Sequence, residues 1–111
     1  LALTAALALL SIGLSTIISN SATANLIVPI GVSLAASEAV DLDPLVAGMV
    51  IALSCSLAMA LPVSTPPNAV AYASGAVKTS DLARVGLVVG GVGVVLVVFV
   101  APPLWKALGL L

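Results

Sequence analysis

Two short polar runs interrupt an otherwise apolar sequence: Ser19-Asn20-Ser21-Ala22-Thr23 and Pro62-Val63-Ser64-Thr65-Pro66-Pro67-Asn68. Their hydroxyls and amides carry no formal charge, so the chemistry open to them is coordination and hydrogen bonding. A half-helix starting at Thr65 would have that residue as its cap and Pro66 in its first turn, where a missing N–H costs little. A second helix start falls near Ser21. Such starts carry free N–H groups and partial positive charge, suited to a carboxylate or another anion. The helix ends leading into the two runs, at 17–20 and 61–64, offer carbonyl oxygens without helical partners. Those suit a small hard cation.

Composition says where this chemistry must take place. Of 111 residues, 62% are hydrophobic and 6% charged, against about 45–50% and about 25% in soluble domains. Such a chain cannot cover a water-facing surface, and the reading is an integral membrane segment. Histidine is absent, which removes His-based catalysis and imidazole metal sites. Three basic residues, Lys78, Arg84 and Lys106, are too few for a nucleic-acid footprint. The single Cys55 permits neither an intrachain disulfide nor a multi-cysteine metal site. With no nucleophile–base pair or metal constellation in the apolar stretches, an enzyme is not expected. The chain opens in an apolar run without a basic n-region, so its start does not read as a signal peptide. A piece of a longer, multi-pass protein of the cell (inner or plasma) membrane is expected.

The polar runs need helices to hold them. The fold class expected is all-α, with a re-entrant helical hairpin, one discontinuous transmembrane helix and one terminal transmembrane helix. The apolar arms at 1–18 and 22–36 would be roughly 27 and 22 Å long, each short of a hydrocarbon core of roughly 30 Å. A hairpin over 1–36 with its polar tip at 19–23 fits them better than two full spans. Pro29 is expected to kink its second arm. An external acidic loop follows at 37–44, with Glu38, Asp41 and Asp43; Asp43-Pro44 then reads as cap and first helical residue. A transmembrane helix over 45–77 is expected to break at 62–68, because each proline removes a donor and clashes with the preceding turn. The loop at 78–84 carries Lys78 and Arg84 and is expected to be cytoplasmic. The last span and tail occupy 85–111, with Pro102-Pro103 as a stop and Trp105 and Lys106 as interfacial anchors.

The charges missing from these spans narrow the mechanism. No Lys, Arg or His lies in them to neutralise an anion, and neither break carries an Asp, Glu or His for a proton. Dipoles, hydroxyls and bound cations must serve instead, which favours sodium over proton coupling. Gly86-x-x-x-Gly90 reads as a close helix-packing site, and Cys55 as a small packing residue. Non-helical backbone at membrane depth, dense in polar groups, marks substrate and ion sites of secondary transporters.

At these residues the sequence resembles the divalent anion/sodium symporter family, the dicarboxylate, citrate and sulfate carriers. Ser19-Asn20-Ser21-Ala22-Thr23-Ala24 followed by Val28-Pro29-Ile30 is similar to that family's hairpin signature. Ala60-Leu61-Pro62-Val63-Ser64-Thr65-Pro66-Pro67-Asn68-Ala69 through Gly75 is similar to the signature on its broken penultimate helix. The resemblance covers essentially the whole chain, as the carboxy-terminal part of the second inverted repeat. It implies substrate contacts from Ser19, Asn20, Ser21 and Thr65, and a sodium site from Ser15, the Ile18 carbonyl, Asn20 and Ser64. Ser21 stands where the signature usually has threonine, and Thr16 where many members have a glutamate.

The expected function is therefore part of a sodium-coupled secondary transporter for divalent anions, C4-dicarboxylates foremost, working by alternating access. Its coupling ion would be Na+. Its partners would be the divalent anion, the lipid bilayer, an amino-terminal repeat not contained in this chain, and a second copy in a homodimer. The alternatives are a channel or proton-coupled carrier of another inverted-repeat fold, or a non-transporting membrane subunit.

Overall fold

The computed structural model describes residues 1–111 and is built of helices without strands. Helix α1 spans Ala2–Ile17 and α2 spans Asn20–Ala35, joined by two extended residues, Ile18 and Ser19. The Ser19 hydroxyl caps α2 by accepting from the Ala22 N–H at 3.2 Å. Pro29 lies inside α2. Helix α3, Pro44–Ser56, starts as an Asp-Pro pair predicts: the Asp43 carboxylate accepts from the Leu45 N–H at 2.7 Å. Helix α4, Pro66–Ala73, is capped by Ser74 and followed by Gly75 at φ +75°, a left-handed turn that glycine takes without strain.

The unwound stretch between α3 and α4 covers 57–65, earlier than the expected 62–68. Proline acts four residues back: Pro62 has no N–H for the Ala58 carbonyl, and its ring collides with that turn. α3 therefore finishes in two tightened bonds, Leu57 N–H to Ser54 at 3.2 Å and Ala58 N–H to Cys55 at 3.3 Å. Pro66 and Pro67 lie inside the first turn of α4, where no helical partner is owed.

The last helix also departs from expectation. It begins at Thr79 rather than 85, with the Asp81 carboxylate accepting from the Lys78 N–H at 3.1 Å. Nor does it stop at Pro102-Pro103. α5, Thr79–Val95, runs through a π-turn at Leu96–Val100 into α6, Ala101–Ala107. The Ala101 N–H reaches five residues back to the Leu96 carbonyl. This wider spacing passes the chain into a fresh first turn, where both prolines are tolerated. Thr79–Ala107, 29 residues long, is the one helix long and apolar enough to cross a membrane. Because the helix continues, Trp105 falls on its inward row and is buried instead of anchoring at an interface.

The core is two small clusters. Leu7, Ile27, Ala35, Ala47, Ile51 and Cys55 join α1, α2 and α3. Ala8, Val46, Val50, Val97, Val98 and Trp105 join α1 and α3 to the long helix. Large apolar side chains such as Leu87, Val88, Val92 and Phe99 face outward, as expected of a chain surrounded by lipid or further protein.

A row of glycines lets the long helix lie against the unwound stretch. A Cβ on Gly86 would overlap the Ala60 backbone, and one on Gly93 would press into the Leu57 side chain. Gly91, by contrast, faces open space. Gly86→Ala is expected to destabilise the intact protein by about 1–3 kcal/mol through overpacking. Gly91→Ala should leave stability unchanged or raise it by up to about 1 kcal/mol, from helix propensity alone. Thermal unfolding of the two purified variants checks this, and equal losses at both positions would refute the packing argument.

Candidate functional site

The two polar runs meet. The Asn20 N–H, first of α2, donates to the Ser64 carbonyl at 3.4 Å, and the Ser64 hydroxyl donates back to the Thr16 carbonyl at 2.8 Å. Residues 48 and 44 positions apart in sequence thus close a seam between the α1–α2 junction and the unwound stretch. Ser64 is buried, with Thr16 and Asn20 half-buried beside it, and an unpaired backbone group is costly where water is scarce.

A second set of oxygens gathers behind this seam. Ser15, fully buried, holds its hydroxyl 2.6 Å from Asn20 Oδ1 and 3.0 Å from the Cys55 carbonyl. One hydroxyl proton faces two acceptors, so at least one of these close oxygen pairs carries no hydrogen bond at any instant. The Cys55 thiol lies beside the Ser11 and Ser15 hydroxyls. The donor set of Ser15 Oγ, Asn20 Oδ1 and the Cys55 carbonyl is neutral and all-oxygen. That chemistry fits a small hard cation and does not fit a soft metal.

Of the four residues expected around sodium, Ser15 and Asn20 come together directly. Ser64 joins them through its backbone, because its hydroxyl is committed to Thr16. Ile18 sits at the junction, its N–H bonded to the Leu14 carbonyl at 2.9 Å. Of the residues expected at the substrate, Ser19 and Ser21 are exposed at the start of α2, and Thr65 caps α4 by accepting from the Asn68 N–H at 3.3 Å. Both capping hydroxyls keep their own proton for a further acceptor. The two helix starts adjoin the Asn20–Ser64 bond; with Pro66 and Pro67 opening α4, that start offers the Thr65 hydroxyl rather than first-turn N–H groups. Thr16 bonds its own helix, donating to the Ile12 carbonyl at 2.7 Å.

Two participants escaped the sequence reading. Asn68, at the far edge of the expected break, donates its side-chain amide to the Met59 carbonyl at 2.7 Å and to the Leu61 carbonyl at 3.3 Å. Two of the carbonyls at 61–64 are therefore engaged: Leu61 also accepts from the Ser64 N–H at 3.1 Å, and Ser64 accepts from the Asn20 N–H. The Cys55 carbonyl carries no signal of residue type; only the backward reach of Pro62 could have pointed to the end of α3.

The whole chain, residues 1–111, matches the family model described as the sodium:sulfate symporter transmembrane region. The chain belongs to this family. It is 42% identical over 87 residues to solute carrier family 13 member 2 of Oryctolagus cuniculus, covering 78% of this chain and 14% of that protein. With the Na(+)/citrate cotransporter of Mus musculus the identity is 40% over 87 residues, covering 78% and 15%. With the sodium-dependent dicarboxylate transporter SdcS of Staphylococcus saprophyticus it is 38% over 94 residues, covering 81% and 18%. The aligned region thus spans less than a fifth of these relatives. No solved structure matches the chain.

Asn68→Asp replaces two donors by an acceptor in front of two carbonyls. It is expected to lower stability by about 1–3 kcal/mol and to speed hydrogen exchange at the backbone amides of 57–65 more than at those of α1. Unchanged exchange in that stretch would show that the side chain does not hold it.

Proposed function

We propose that this chain is the hairpin, broken helix and last span of a sodium-coupled symporter for divalent anions, C4-dicarboxylates foremost, that works by alternating access. The observation that carries the reading is the contact between the two polar breaks. It sets a neutral oxygen cluster suited to a cation beside two capped helix starts suited to an anion. Family membership supports it, as do the names of relatives that transport citrate or dicarboxylates with sodium.

In this reading Ser15, Asn20 and the Cys55 carbonyl hold Na+, with the Ile18 carbonyl at its edge and Ser64 fixing the seam. Ser19, Asn20, Ser21 and Thr65 meet one carboxylate of the substrate. The bound cation supplies positive charge beside that carboxylate, which no side chain in the spans can. Asn20 is the coupling residue: its Oδ1 faces the cation donors, while its amide hydrogens remain for the anion. The protein is a multi-pass transporter of the cell membrane and not an enzyme. It acts with an amino-terminal repeat and as a homodimer. α1 and α2 form the re-entrant hairpin, the loop at 37–44 is external, and the start of α5 is cytoplasmic.

Two measurements on the full-length transporter test this. Asn20→Ala should weaken sodium and substrate binding together, since linkage is reciprocal. Thr65→Val should weaken substrate about ten- to a hundredfold, the worth of one hydrogen bond to a charged ligand, and sodium much less. Thr65→Ser should restore binding. Normal substrate affinity in Thr65→Val would mean that Thr65 caps α4 and does nothing more. For topology, Asp41→Cys is expected to react with an impermeant thiol reagent from outside and Thr79→Cys from the cytoplasm. The reverse labelling would invert the orientation.

A further inference from the structure

Three oxygens are few for a hard cation, which usually gathers more, and the interior of the bundle holds two hydroxyls with no partner at all. Thr23 Oγ1 and Ser54 Oγ are both unbonded, and both residues are 0% exposed. Hydroxyls elsewhere in these helices avoid that state by bonding the carbonyl one turn back. Ser11 does so to Leu7 at 2.6 Å, Thr16 to Ile12 at 2.7 Å and Ser56 to Ala52 at 3.1 Å. Thr23 has the Ser19 carbonyl in the same relation, already accepting the Thr23 N–H at 3.0 Å, yet its hydroxyl does not use it. In an apolar interior an unpaired hydroxyl is costly, so a pair of them asks for a reason.

Helical register separates the two. Thr23 lies three residues beyond Asn20 and four before Ile27 on α2, a spacing that stacks all three on one face. Ile27 packs in the same cluster as Cys55. Thr23 thus lies, fully buried, on the face of α2 that carries Asn20 one turn before it and Ile27 one turn after it. Ser54 continues a different row of α3, Val46 and Val50, which packs against Ala8, Val97 and Trp105 on the side of the long helix.

We infer that the Thr23 hydroxyl is a further ligand of the cation held by Ser15, Asn20 and the Cys55 carbonyl, whereas Ser54 is an uncommitted hydroxyl of the packing interface. The inference rests on the sodium reading of the site and adds a residue of α2 beyond the polar tip. Thr23 would then tie cation occupancy to the packing of α2 on α3, one turn deeper than the anion site.

The test is thermal unfolding of the full-length transporter, without substrate, across sodium concentrations at constant ionic strength. A cation that binds the folded state raises the melting temperature as it is added. Thr23→Val keeps shape and removes the hydroxyl. It is expected to raise the half-stabilising sodium concentration about tenfold, as for one lost interaction with a charge, while Thr23→Ser returns it to the wild-type value. Without sodium, Thr23→Val should melt no lower than wild type, because an unpaired hydroxyl is gone. Thr23→Ala reads the same sodium shift if the valine variant does not purify. Ser54→Ala should leave the sodium dependence within twofold of wild type. Wild-type sodium dependence in Thr23→Val or Thr23→Ala, with Asn20→Ala impaired, would overturn the role of Thr23 and leave the sodium site standing. Wild-type dependence in Asn20→Ala as well would overturn the site itself.

Discussion

Peptide groups that leave the helix inside an apolar layer must find partners within the protein, because hydrocarbon offers none. In this chain the two places where the helix is abandoned supply partners to each other. The extended pair Ile18–Ser19 and the unwound 57–65 are stitched by Asn20 to Ser64 and by Ser64 to Thr16. Asn68 pairs two further carbonyls of the longer stretch, those of Met59 and Leu61. Neither break is well provided for without the other, and the bundle of α1, α2 and α3 exists around their meeting.

The same bonds explain why the place is polar but uncharged. Each hydroxyl or amide near the seam is shared between structure and a remaining capacity: Ser19 and Thr65 accept as caps and retain a proton, and Ser15 stands between two acceptors. A charged side chain there would occupy the field that the helix starts and carbonyl ends supply, and would cost several kcal/mol to bury. Neutral groups leave the sign of the site to be set by what binds.

Much of this was legible in the sequence because its signals are strong and local. Asp43-Pro44 marked a helix start, Thr65 a cap, Gly86 a close approach, and the polar runs marked both breaks. The errors share a cause. The steric effect of a proline falls on the turn before it rather than where it stands; so α3 ends ahead of Pro62, and the break shifts to 57–65. At Pro102-Pro103 the rule failed the other way, since a π-turn gives both prolines a first-turn environment and carries Trp105 inward. The Cys55 carbonyl and the two bonds of Asn68 depend on tertiary backbone placement, which residue type does not encode.

The glycine row of α5 has a mechanical consequence. The Ala60 backbone rests directly on Gly86 and the Leu57 side chain on Gly93, while seven residues on from Leu57 the same stretch is sewn to the hairpin junction by Ser64. The unwound segment is therefore gripped from both flanks, like a key between two plates. A push on the long helix is transmitted to the junction with little slack, because no flexible side chain is left to absorb it at Gly86. The place where the two helix starts converge would move with it as one unit.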